Sequence, residues 1–213
     1  SGINKTAMKR LAIEYKDYPL YNAAPAFLNT LTLQLPIVMV SMFYGSSITG
    51  FFNFSRQMGG NPLLLISTSL SQVLFEKIVS NKNAGEKVTP LLNQLIYRLS
   101  LVALFYVAAV FFLAPAVFGF VFGSEWAIAG EYAAIMCFGF AIKFVVSPLS
   151  VIFPALDAIK KASRWQVFYF CSIALLFMTN NFSFFTFLIV FTFIEVLVYL
   201  FYLVLILREA RLF

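Results

Sequence analysis

The chain of 213 residues contains no histidine, which excludes imidazole acid–base catalysis and histidine-ligated metal centres. Cysteine is scarce: Cys137 and Cys171 each sit inside an apolar run. No disulfide framework is expected, and both read as small buried or lipid-facing residues. Acidic residues number nine, and no two share one face as a general acid–base pair would. No glycine-rich loop ends in Lys-Ser or Lys-Thr, no nucleophile elbow occurs and no metal-ligand spacing is present. The expectation is a protein that is not an enzyme and holds no cofactor or metal. Charge is also thin, at 11% of residues, where a soluble domain carries about a quarter. So few charges with so much hydrocarbon exclude a disordered chain.

Hydrocarbon takes the place of charge. Hydrophobic residues make up 62% of the chain and phenylalanine alone supplies 27 positions. A soluble fold of this size exposes too much of its area to hide that surface, so lipid must serve as solvent on the outside. Six apolar runs stand out, at about 22–44, 49–75, 93–118, 131–155, 165–179 and 184–207. Most approach or exceed the ~20 residues that cross a bilayer core; the fifth is short. None alternates with period two, so helices are expected and a barrel is not. The fold class predicted is all-α: an integral membrane bundle of six helices over residues 21–208, with a short cytoplasmic tail at 209–213.

Positive charge marks every second connection. Lys5, Lys9, Arg10 and Lys16 precede the first run; Lys77, Lys82 and Lys87 follow the second. Lys160, Lys161 and Arg164 follow the fourth, and Arg208 and Arg211 the sixth. The other connections, at 45–48, 119–130 and 179–183, hold no lysine or arginine. This alternation predicts that both termini face the cytoplasm. It also explains the net charge of +6 without nucleic acid as a partner. Within residues 1–20, Ile3, Ala7, Met8, Leu11, Ala12 and Tyr15 recur at helical spacing opposite the basic residues. That pattern predicts an amphipathic linker helix on the inner leaflet, with a solvated basic tail as the alternative.

Polar residues inside apolar runs carry the functional signal, because hydrocarbon penalises them. In the first run Asn22, Pro25, Asn29, Thr32 and Pro36 follow steps of three and four and share a stripe, with Gln34 off it. The stripe reads as a wet face on a helix that bends at Pro25 and Pro36; helix–helix hydrogen bonding is the alternative. In the second run Asn53, Arg56, Gly60, Ser67 and Ser71 align; Arg56 either faces water or snorkels outward. In the fourth, Gly139, Lys143, Ser147, Ser150, Pro154 and Asp157 align, with Lys143 central. A charge at that depth costs about 2.5–3.5 kcal/mol, so it must be paired, hydrated or neutral. Thr192, Glu195, Tyr199 and Tyr202 align in the sixth, with Glu195 also deep. Lys143 and Glu195 are expected to meet or share water, as a structural ion pair or as a proton-coupling group.

The stretch Tyr15-Lys16-Asp17-Tyr18-Pro19-Leu20-Tyr21 resembles the segment before a central helix in bacterial polysaccharide-export and O-antigen flippases. Asn29 through Pro36 resembles that helix, and Gly50-Phe51-Phe52 with Arg56 the start of the next. Phe122 through Trp126, then Ala129-Gly130-Glu131-Tyr132, is similar to the family's outer loop. Lys143 with Ser147-Pro148-Leu149-Ser150 is similar to its Ser-Pro-Leu-Ser helix, where arginine is common at the lysine's place. These flippases belong to the multidrug/oligosaccharidyl-lipid/polysaccharide exporter superfamily.

The resemblance implies the C-terminal lobe of a two-lobe transporter, its partners being the bilayer and either a missing N-terminal six-helix lobe or a second membrane chain. It implies a cargo of polyprenyl-pyrophosphate-linked oligosaccharide, moved from the inner to the outer leaflet of the bacterial cytoplasmic membrane. Arg56 and Lys143 would hold phosphate. Asn29, Thr32, Asn53, Ser147 and Ser150 would line the path, and Pro25, Pro36 and Pro148 would act as hinges. A cation-coupled exporter of the same superfamily and a non-transporting structural subunit are the alternatives. A membrane glycosyltransferase is disfavoured, since no acidic pair occupies a loop.

Overall fold

A computed structural model describes residues 23–212. The amphipathic linker helix expected over residues 1–20, Asn22 and the end of the tail lie outside the described residues. Among those described, all regular structure is helical: α1 (Ala24–Tyr44), α2 (Ser46–Ala84), α3 (Thr89–Phe122), α4 (Ala127–Val146), the short α5 (Ile152–Ala155), α6 (Ile159–Ala174) and α7 (Phe184–Ala210). Tight 3₁₀ turns over Ser124–Trp126, Ser147–Val151 and Leu175–Thr179 join or extend these. With the turns included, α4 and α5 make one rod and α6 reaches residue 179, giving a six-helix arrangement. Five rods are long and apolar enough to cross a membrane. The rod containing α6 is not among them, because Lys160, Lys161, Arg164 and Gln166 dilute its hydropathy.

Corner geometry follows from glycine at two places. Gly45 alone separates α1 from α2 and has φ 84°. Gly85 ends α2 in the left-handed region at φ 69° and donates its amide to the carbonyls of Asn81 and Lys82. Glycine takes such angles without a Cβ clash, which is why helices stop there.

The fourth rod is the hub. Of its most apolar stretch 61% is buried, against 17% for α3, so α4 is surrounded by protein while α3 faces lipid. Phe105, Phe112 and Phe120 project from α3, the last 91% exposed. In a bilayer that is the favourable direction for them. Small residues let the two backbones touch: a Cβ on Gly130 would stand 2.5 Å from the Ala114 carbonyl oxygen. Lacking a hydrophobic drive between helices in lipid, such close packing is what holds them together. A second adhesive is aromatic: Phe52 of α2 sits edge-on to Phe184, Phe187 and Phe191 of α7.

Helix α2 outruns its apolar stretch by about two turns. Its last turns carry Glu76, Lys77 and Lys82, residues suited to water. Lys82 there reaches Asp157 at 2.7 Å and the Ala155 carbonyl at 3.3 Å. Asp157, expected to continue the polar stripe of the fourth run, instead turns the chain between α5 and α6 with φ 59°. Its side chain is 86% exposed.

Candidate functional site

A partly open cleft of about 930 Å³ lies between α1, α2, the fourth rod, α6 and α7. From α1 come Asn29, Leu33, Gln34 and Ile37; from α2 come Asn53, Arg56, Gln57, Gly60, Asn61 and Ser67. Phe140, Lys143, Ser147 and Ser150 face it from the fourth rod. Trp165 and Gln166 of α6 and Tyr199 and Tyr202 of α7 complete the wall. Amides, hydroxyls and two cations therefore share one space inside a bundle whose outside is hydrocarbon.

Arg56 is anchored at one edge. Its Nη1 donates to the Leu33 carbonyl oxygen of α1 at 3.0 Å. That carbonyl stands three residues before Pro36, which lies inside α1. Proline has no amide for the carbonyl four residues earlier, that of Thr32, and its ring crowds the same turn; the Arg56 contact falls on the next carbonyl along. The same device recurs in α2: Tyr106 donates its hydroxyl at 2.8 Å to Gly59, three residues before Pro62. In both helices a donor from the next helix thus reaches a carbonyl in the turn that proline disturbs. The Arg56 guanidinium also stands 5.6 Å from the centre of the Phe52 ring. Among the described residues no carboxylate lies within 4.0 Å of it.

Lys143 is held differently. Its Nζ forms an ion pair with Glu195 of α7. Glu195 is 2% exposed and does not line the cleft; it sits behind the lysine. Tyr169 of α6 donates its hydroxyl to the same carboxylate at 3.2 Å. The Lys143 ammonium lies 5.6 Å from the centre of the Tyr199 ring, an attractive placement for a cation. Ser147 and Tyr169 approach the Tyr199 hydroxyl, and Ser150 that of Tyr202. Arg56 and Lys143 are within electrostatic reach of each other and of Glu195. Two cations against one carboxylate leave the cleft with an excess of positive charge.

The cleft brings together Asn29, Asn53, Arg56, Lys143, Ser147 and Ser150. Thr32 is not on it. The threonine is 1% exposed, donates at 2.6 Å to the Leu28 carbonyl and accepts from Gln166 of α6 at 3.3 Å. Its polarity joins helix to helix instead of facing water. Pro25 falls in the first turn of α1, where proline interrupts no helical hydrogen bond. Pro36 interrupts α1 itself, and Pro148 lies in the 3₁₀ turn between α4 and α5. Gln57 and Asn61 escaped the sequence reading, although they follow Asn53 in steps of four. Gln34, set off the stripe in that reading, lines the cleft. Among the described residues no group of three or more acidic or thiol side chains could hold a metal ion.

Long apolar helices around a cationic, hydrogen-bonding cleft define a multi-pass membrane protein of the transporter class. More narrowly, the chain belongs to the polysaccharide biosynthesis protein family, whose model matches residues 5–130, more than half its length. The family is one of transporters and not of enzymes, which sets the chain in membrane transport of the flippase kind. The matched region contains Asn29, Asn53 and Arg56 and ends before Lys143 and Glu195. No curated protein and no solved structure matches the chain.

Proposed function

We propose that the chain forms one six-helix lobe of a flippase for polyprenyl-pyrophosphate-linked oligosaccharide. The cargo moves from the inner to the outer leaflet of the bacterial cytoplasmic membrane by alternating access, with O-antigen, capsule or exopolysaccharide units as the cargo class. The observation that carries this reading is the cleft itself. Its one cation without a carboxylate partner among the lining residues, Arg56, shares the space with Asn29, Asn53, Gln57 and Asn61. A pyrophosphate needs charge-assisted donors, which a guanidinium supplies in pairs. Sugar hydroxyls need the neutral amides, while Trp165 and Tyr202, stacked on each other with centroids 3.7 Å apart, present only ring edges to the cleft. The polyprenyl tail remains in lipid, where hydrocarbon belongs.

In this reading both termini face the cytoplasm. Residues 1–20 serve as the link to a facing lobe, supplied by a preceding half or a second membrane chain. Lys143 provides positive potential, tempered by Glu195, and acts behind Arg56. Rocking of the lobe draws on the bends at Pro36 and at the turn holding Pro148.

Arg56→Gln tests the assignment. Surface polysaccharide is expected to be lost while the protein stays in the membrane at its normal level, and Arg56→Lys to retain part of the activity. Full export by Arg56→Gln would remove the anion-binding role. A cation-coupled exporter gains little from the geometry, because among the described residues the only buried carboxylate near the cleft is already engaged by Lys143 and Tyr169.

A further inference from the structure

A second cleft of about 760 Å³ opens between α6 and α7, away from the faces of Arg56 and Asn29. Its residues follow helical spacing on both sides. Lys161, Arg164 and Phe168 descend one face of α6, while Phe201, Leu205 and Arg208 ascend one face of α7. The two faces are in register. At the rim Lys161 pairs with Glu209, and deeper the Phe168 and Phe201 rings meet edge-on with centroids 5.3 Å apart. From rim to rings is seven residues of α6, roughly 10 Å of helix rise. The cleft is thus cationic at its mouth and hydrocarbon at its floor. Arg211 adds a third guanidinium at the rim. Among the described residues, none of Arg164, Arg208 and Arg211 has a carboxylate within 4.0 Å.

We infer that this cleft is a binding site for an anionic glycerophospholipid of the surrounding membrane, with the phosphodiester at Arg164, Arg208 and Arg211 and an acyl chain over Phe168, Phe201 and Leu205. The charge pattern commits the occupant. Among the described residues four cations face a single carboxylate that one of them already neutralises, so an anionic headgroup is favoured over a zwitterionic one, whose choline charge offsets its phosphate. The apolar depth commits it further, because a free phosphate would leave those rings exposed to water. Basic pockets between membrane helices are suited to this headgroup chemistry. The inference does not depend on the cargo assigned to the central cleft: it concerns residues on its far wall and holds for any transported substrate.

Trp165 supplies the reporter: it lines this cleft as well as the central one, so the arginine variants, all outside the central cleft, assign the signal, and Trp126, the other tryptophan, belongs to the opposite end of the fourth rod. The full chain carrying Trp126→Phe is reconstituted in vesicles containing phosphatidylglycerol or phosphatidylcholine with brominated acyl chains, which quench tryptophan on contact. Phosphatidylglycerol is expected to quench more strongly at equal mole fraction. Each arginine removed should weaken its apparent binding about fivefold, and the Arg164→Gln, Arg208→Gln, Arg211→Gln triple variant should show no preference. The control Lys77→Gln with Lys87→Gln, at exposed lysines outside the cleft, should keep it. Equal quenching by the two lipids overturns the inference, as does a preference that survives the triple variant or falls equally in the control. Displacement by glycerol phosphate alone would mark a phosphate site without a lipid and overturns it too. Native mass spectrometry of the chain with both tryptophans gives an independent readout. Anionic phospholipid should be retained by that protein and lost from the triple variant, and equal retention counts against the site.

Discussion

A Cβ added to Gly139 would stand 2.8 Å from Oε2 of Glu195. Gly139 lies one turn before Lys143 on α4, so the missing side chain makes room for the carboxylate that pairs with that lysine. Gly139→Ala should displace the Glu195 head, weaken the pair and cost about 1–2 kcal/mol in stability, since a buried pair is disturbed without being removed. The fold should persist. Thermal unfolding in detergent checks the first expectation, and export of polysaccharide should drop in parallel. Unchanged stability would show that the carboxylate relaxes freely.

The ion pair makes a sharper prediction through its two ends. Glu195→Gln leaves a buried ammonium without its counter-charge, and about 3–5 kcal/mol is the typical loss when one partner of a buried pair is removed. Lys143→Met leaves the carboxylate with only Tyr169 as a close donor. The double variant removes both charges and should recover much of the stability lost by either single change. A double-mutant cycle on unfolding measures the coupling; additive losses would mean that the two charges act independently. Export should not recover with stability if Lys143 contributes potential to the cleft.

Water in the cleft can be mapped chemically. After replacement of Cys137 and Cys171, single cysteines at Asn29, Asn53 and Ser147 should react with a charged, membrane-impermeant thiol reagent applied to opened vesicles. Cysteines at Thr32, packed on Gln166, and Phe120, facing lipid, should not. Thiolate chemistry requires water at the sulfur, so the contrast reports hydration directly. Equal reactivity at Thr32 and Asn29 would contradict the geometry of α1.

Much of this architecture was legible because lipid imposes a simple rule. Runs of hydrocarbon near bilayer length announce helices, and the encounter of Lys143 with Glu195 followed from two charges too deep to stay alone. What escaped has physical reasons. Hydropathy sees only the part of a helix in contact with lipid, so the watery end of α2 beyond Phe75 carried no signal. Side-chain polarity marks a residue that avoids hydrocarbon without saying whether it meets water or protein. The stripe drawn through Asn29, Thr32 and Pro36 was therefore off by roughly a quarter turn: Thr32 faces α6, and the wet face runs through Asn29, Leu33, Gln34 and Ile37. Lining by leucine and isoleucine cannot be read from composition at all. Tyr199 and Tyr202 were already on the stripe of Glu195, but Trp165 stayed hidden for another reason, since a tryptophan at a helix end also reads as an interfacial anchor.

Pro36 separates stability from function in a single substitution. In Pro36→Ala the new amide can bond the Thr32 carbonyl, and the ring no longer strains the turn before it. Interior proline typically costs a helix about 3 kcal/mol, and losing a buried ring returns part of that gain, so a net stabilisation of about 1–2 kcal/mol is expected. The straightened turn would also shift the neighbouring Leu33 oxygen, loosening the contact that now holds Arg56 at 3.0 Å. An Arg56 without that tether samples more rotamers, and organised anion binding weakens accordingly. Thermal unfolding and surface polysaccharide, measured on the same preparation and strain, should therefore move in opposite directions, the first up and the second down. A variant that is more stable and exports normally would show that neither the bend nor the carbonyl tether matters to transport. A variant that is less stable would show that the buried ring is needed chiefly for packing.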